Sequence, residues 1–180
     1  MVSVRQFFIA FALSTFVCSS AVAQEVSLPG NASSLSETHG SWTVQCVLAA
    51  LADGSKAKRC ILSQQQVAQN TGQRALAIEL AAESGIAKGN LVLPFGLDLQ
   101  KGVAFHIGEK AIGQTRQFRT CLPAGCIVDV SFDADMIASL KLGTALKVKA
   151  TSVGGQDIAF SISLAGFTRA YDRVVALLET

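Results

Sequence analysis

The feature that most limits how this chain can fold is a two-residue alternation of apolar and polar side chains, repeated in short runs. Trp42, Val44, Cys46 and Leu48 share one face of such a run, and Ser41, Thr43 and Gln45 the other. Val103, Phe105 and Ile107 repeat the pattern, as do Cys126, Val128, Val130 and Phe132. So do Leu146, Val148 and Ala150, and then Ile158, Phe160, Ile162 and Leu164. A period of two suits a half-buried strand and cannot present one apolar face on a helix. Turn-forming groups punctuate the runs: Asp53-Gly54-Ser55, Asn70-Thr71-Gly72, Ser84-Gly85, Lys88-Gly89-Asn90 and Gly154-Gly155.

Two segments change period. Asp133 is an N-cap in front of Met136, Ile137 and Leu140, and Gly143 closes this short helix. Phe167, Ala170, Tyr171, Val174, Val175 and Leu178 fall at helical spacing and predict an amphipathic C-terminal helix. Eight to ten short strands with two helices, and no βαβ spacing, predict a mainly β fold. It is an antiparallel β-sandwich or barrel-like domain with a short internal helix and a C-terminal amphipathic helix. The 180 residues are enough for one core and few for two.

The N-terminus has the pattern of an export signal. Arg5 supplies positive charge, residues 7–17 are apolar, and Ala21 and Ala23 put small residues where signal peptidase reads. Cleavage near Ala23 makes 1–23 a Sec-type signal peptide and leaves no transmembrane segment, since a span needs about 20 apolar residues. Residues 24–40, rich in Ser, Asn, Gly and Glu, read as a flexible lead-in. Residues 41–180 then form a single β-rich domain. A periplasmic, outer-membrane-associated or secreted protein is expected. The formal charge of +2 is spread along the chain, without the basic stripe of a nucleic-acid binder.

Export makes the cysteines legible. Cys46, Cys60, Cys121 and Cys126 remain after cleavage, and an even number in an oxidising compartment points to two disulfides. Three pairings are open on sequence. Cys46–Cys60 with Cys121–Cys126 is favoured because both close short local loops. Cys121 and Cys126 flank the turn Leu122-Pro123-Ala124-Gly125 ahead of a strand, the arrangement of a structural staple. A thioredoxin-like pair has two intervening residues and a helix N-terminus. The cysteine spacings do not match a zinc site.

No catalytic set is assembled in the sequence. His39 falls in the lead-in and reads as solvated. His106 lies opposite Val103, Phe105 and Ile107 and reads as an outward strand residue. Neither a Gly-x-Ser-x-Gly elbow nor a phosphate-binding Gly-Lys-Ser/Thr loop occurs. No catalytic, cofactor-binding or metal-binding residue is therefore assigned. Lys110, Arg116 and Arg119 form a modest basic cluster near the stapled turn, a candidate interaction patch for an acidic partner or anionic lipid head groups. Trp42, Phe105, Phe118, Phe132 and Phe160 read as core.

Three motifs resemble one family. They are Gly40-Ser-Trp42-Thr-Val-Gln-Cys46, Phe118-Arg-Thr-Cys121-Leu-Pro123-Ala-Gly125-Cys126 and Ser163-Leu-Ala-Gly166-Phe167-Thr-Arg-Ala170. In order and spacing they resemble the invasion-associated locus B family of exported alphaproteobacterial proteins, over nearly the whole mature chain. The resemblance implies an exported single-domain β-rich protein associated with the envelope, under a name drawn from host-cell invasion. It transfers no catalytic residue. The function expected is non-enzymatic binding of a protein or envelope partner, contributing to invasion or adhesion in pathogens. The alternative is a periplasmic hydrolase or thiol-redox enzyme whose site is not visible in sequence.

Overall fold

The computed structural model describes residues 26–67 and 74–179, so the signal-peptide reading lies outside the described residues. A 3-10 turn at Pro29–Asn31 precedes β1 (Ser34–His39), β2 (Trp42–Ala50), β3 (Lys56–Val67), β4 (Arg74–Glu83) and β5 (Ile86–Leu93). There follow β6 (Val103–Ile107), β7 (Lys110–Arg116), β8 (Phe118–Leu122) and β9 (Gly125–Phe132). The chain ends with α1 (Ala134–Leu142), β10 (Ala145–Thr151), β11 (Asp157–Ser163) and α2 (Phe167–Glu179). One sheet runs β1-β2-β3-β4-β5-β9-β8 and the other β11-β10-β6-β7, with antiparallel pairing throughout. The fold is mainly β, with two sheets and a C-terminal helix, as the alternation requires.

The inner faces share one core. Val44, Leu62, Ile78, Leu91 and Val128 of the large sheet join Val103, Phe105, Leu146, Val148 and Ile162 of the small one. Each fully buried aliphatic side chain contributes roughly 1.5–3 kcal/mol. A one-residue slip would turn a strand's whole apolar set to water, so the alternation also sets register.

The helices complete the cover. α1 begins at Asp133, whose carboxylate accepts from the Met136 N–H at 2.9 Å, and it buries Ile137 and Leu140. α2 lies over β1 to β4 and buries Phe167, Ala170, Tyr171, Val174 and Leu177. Leu178, expected on the buried stripe, instead lines an open groove between α2 and the β4–β5 turn.

Two expectations change. Residues 24–40 are not a flexible lead-in throughout: β1 pairs with β2 along its length, Ser34 opposite Val47 to His39 opposite Trp42. Its backbone finds a ladder that its polar side chains do not advertise. Gly89 is no turn but lies inside β5, where the Glu79 carbonyl of β4 comes too close for any side chain. At Gln117 the chain passes from β7 of the small sheet to β8 of the large one.

Both sides of the sandwich are stitched by side chains. β11 is an edge of the small sheet. Gln64 of β3 donates to the Ser163 carbonyl at 2.9 Å and accepts from the Ser163 N–H at 3.1 Å, and Gln66 donates to the Ser161 carbonyl at 2.7 Å. Two glutamine amides thus occupy the place of a neighbouring strand. On the other side the Arg116 guanidinium donates to the Ser131 carbonyl of β9 at 3.3 Å.

Candidate binding surface

The four cysteines are paired as Cys46–Cys60 and Cys121–Cys126. Each pair lies directly opposite in a ladder, joining β2 to β3 and β8 to β9. Cys46, Cys60 and Cys126 are buried, and Cys121 is exposed on the edge strand.

Two of the three basic residues of the candidate patch are engaged by β9. Lys110 and Arg116 occupy opposite ends of β7, opposite Ile107 and Val103 of β6, about 13 Å apart at roughly 3.3 Å per residue of β6. Arg116 is half-buried and committed to Ser131. Arg119, on the other sheet, pairs with Asp129 at 3.3 Å.

The histidines have separate surroundings. His39 is half-buried rather than solvated, with Nε2 3.3 Å from Glu37 Oε2. Arg173 of α2 donates to both Glu37 oxygens, at 2.8 and 2.7 Å. These two bonds hold the Glu37 carboxyl below the usual carboxylate range and raise Arg173, while desolvation opposes both shifts. His106 stands on the outer face of the small sheet, opposite Lys147 and Ala111 in register. Its Nδ1 is buried without a hydrogen-bond partner among the described residues. Nearby Lys147 donates to Glu109 at 3.2 Å and lowers that carboxyl as well. No group of three or more His, Cys, Asp or Glu could hold a metal ion among the described residues, and no helix there is long and apolar enough to cross a membrane.

The distinctive surface lies at one end of the sandwich. The loop 94–102 after β5, the β8–β9 turn and the β10–β11 turn meet there. Phe95 is 60% exposed, Leu99 42%, Leu122 50% and Val153 78%. Large apolar patches left in water mark interaction sites, whereas scattered single residues do not. The loops are held firmly. Leu97 bridges to Ser152, the Val153 N–H donates to the Gly96 carbonyl at 2.9 Å, and the Asp98 N–H donates to the Thr151 carbonyl at 2.7 Å. Leu122 sits beside the Cys121–Cys126 bond and opposite Gly125. Gly125, at φ +133°, fits against the Leu93 carbonyl at the end of β5. Next to these tips a groove of about 440 Å³ opens on the outer face of the small sheet, with Lys101, Thr115, Lys149, Thr151 and Asp157 among its lining residues.

Sequence reasoning missed these apolar tips. The signal was present: Phe95 lies between Pro94 and Gly96, Leu122 precedes Pro123, and Val153 precedes Gly154-Gly155. Turn segments are ordinarily polar, so a large apolar residue inside one is out of place.

The first and last of the three motifs meet in space. The Ser41 N–H donates to the Ala165 carbonyl at 2.9 Å, and the Trp42 indole donates to the Ser163 carbonyl at 2.9 Å. The rings of Trp42 and Phe167 contact edge-on at 5.2 Å. Gly166, at φ +89°, presses against the His39 carbonyl, where no side chain would fit. Residues 42–175 match the profile of the family described as Invasion associated locus B (IalB) protein. The chain belongs to the IalB family. It is 44% identical over 163 residues to an invasion protein B homolog of Brucella abortus, covering 89% of this chain and 91% of the relative. It is 33% identical over 183 residues to invasion protein B of Bartonella bacilliformis, covering 93% and 95%. In structure it resembles invasion associated protein B of Bartonella henselae, with a TM-score of 0.72 at 31% identity, over 81% of this chain and 99% of that one. The motifs by which the IalB resemblance is legible therefore do structural work: two lock the sheet to α2 and the third staples a hairpin.

Proposed function

We propose that this IalB-family chain is an exported, non-enzymatic binding domain of the cell envelope that contributes to interaction with host cells. The observation that carries this reading is the set of exposed apolar tips, Phe95, Leu99, Leu122 and Val153, on three braced loops at one end. A surface of that kind costs solubility unless something covers it. Export is supported by the N-terminal charge, apolar run and small-residue pattern. It is further supported by two disulfides, which persist in oxidising compartments. The link to invasion is supported by family membership.

Protease treatment of intact cells, beside osmotic-shock release, tests the compartment. Digestion without lysis, or release by shock, is expected; retention in the cytoplasm would overturn the export reading. Cells lacking the protein, complemented with wild type or with Phe95→Ser, test the surface. Wild type is expected to restore envelope or host-cell association, and Phe95→Ser to fall short of it. Equal complementation by both would count against the loop end.

A further inference from the structure

The groove adjoins the loops that carry the apolar tips. Leu99 and Lys101 belong to the same loop, and Thr151 leads into the turn that holds Val153, so the groove opens beside these tips. The groove holds two ammonium groups, Lys101 and Lys149, and one carboxylate, Asp157. Neither lysine forms an ion pair within 4.0 Å among the described residues. Gly102, Ala104 and Ala159 leave the floor between them low.

We infer that this end of the domain docks on an anionic lipid surface. Phe95, Leu99, Leu122 and Val153 enter the boundary between headgroups and acyl chains, and Lys101 and Lys149 hold an anionic headgroup in the groove. The inference rests on the reading of the chain as an exported binding domain, and it names the partner. Two features favour lipid over a protein. The four side chains project from three separate loops, so a folded partner would need a matching concavity, whereas a headgroup layer conforms to any convex tip. Lys101 follows Leu99 by two residues and Lys149 precedes Val153 by four, so both lysines lie on the strand side of the apolar tips, the order in which a bilayer presents acyl chains and headgroup charge. Backbone hydrogen bonds and the Cys121–Cys126 bond hold the tips in place, so little ordering accompanies docking.

The test is co-sedimentation of the signal-processed protein with vesicles of phosphatidylcholine alone and of phosphatidylcholine mixed with phosphatidylglycerol. Binding to the mixed vesicles, weakening with added salt, is expected. Lys101→Ala and Lys149→Ala should each reduce partitioning about fivefold, and Phe95→Ser about tenfold or more. All three positions are exposed, and unchanged melting of each variant shows that the fold is intact. Failure to bind the mixed vesicles, or equal binding by wild type and variants, overturns the inference. Loss of host-cell or envelope association by Phe95→Ser without any vesicle binding overturns the lipid partner and leaves the binding-domain reading standing. No effect of Phe95→Ser in either assay overturns both.

Discussion

Gln64 and Ser163 exchange two hydrogen bonds, side-chain amide to backbone carbonyl at 2.9 Å and backbone N–H to side-chain oxygen at 3.1 Å. A glutamine on one sheet thereby finishes the open edge of the other. Gln64 is the one buried polar residue among those described, and an unpaired polar group there would be costly. Replacing it by Leu removes the partner of the Ser163 N–H, although the carbonyl keeps Trp42. Gln64→Leu should destabilise by about 2 kcal/mol, read as a lower urea midpoint. Gln64→Glu should also destabilise, because a carboxylate can accept from the N–H but cannot donate to the carbonyl. A midpoint unchanged in both variants would mean that the amide closure contributes nothing.

Gly166 and Gly155 separate backbone conformation from crowding. Both have positive φ, +89° and +81°, but only Gly166 faces the His39 backbone, and open space surrounds Gly155. Gly155→Ala should cost about 1 kcal/mol for conformation alone. Gly166→Ala should cost several times that or prevent folding, since β1 and α2 would have to part. Thermal melting of the two variants side by side checks this, and equal shifts would contradict the close packing.

The disulfides differ in loop size. Cys46 and Cys60 are 14 residues apart and Cys121 and Cys126 only 5. On loop-closure entropy, replacing the first pair by serine should cost about 3 kcal/mol and the second about 2 kcal/mol. Thiol titration of the native protein should find no free thiol among these four. One reactive thiol per chain would contradict the pairing.

Glu37 gives the fold a pH dependence. Arg173 holds its folded pKa below the unfolded value of about 4.5, so this stabilisation is present above that value and fades as the pH falls through the folded pKa. Urea midpoints measured downward from neutral pH should fall more steeply for wild type than for Glu37→Gln. Parallel curves would mean that the bidentate pair is not linked to folding. As the Glu37 side chain keeps 27% of its exposure, solvent screens part of the effect.

His106 tests the enzymatic alternative. Its Nδ1 makes no hydrogen bond among the described residues, so His106→Ala should change stability by no more than about 0.5 kcal/mol. Host-cell association should also be unchanged. Loss of association with normal melting would point to chemistry at this histidine.

Strand content, both helices, the Asp133 cap and the favoured disulfide pairing were legible along the chain, because each rests on residues a few positions apart. Alternation in Cys126, Val128, Val130 and Phe132 reports a buried face wherever that strand lies. Strand β1 was not legible, since its inward face, Leu35, Glu37 and His39, carries a single apolar residue and owes its order to β2. Nor was Gly89 as a strand residue, because what excludes a side chain there is a carbonyl on the neighbouring strand.

Local period and spacing carried the fold class and the family and favoured the two staples. Only in three dimensions do Arg116 and Arg119 engage β9, and only there do the loops that carry Phe95, Leu99, Leu122 and Val153 meet at one end. A binding surface is an arrangement of side chains from distant loops. Their proximity comes from antiparallel strands that return the chain repeatedly to the same end, and no periodicity within one segment records that return.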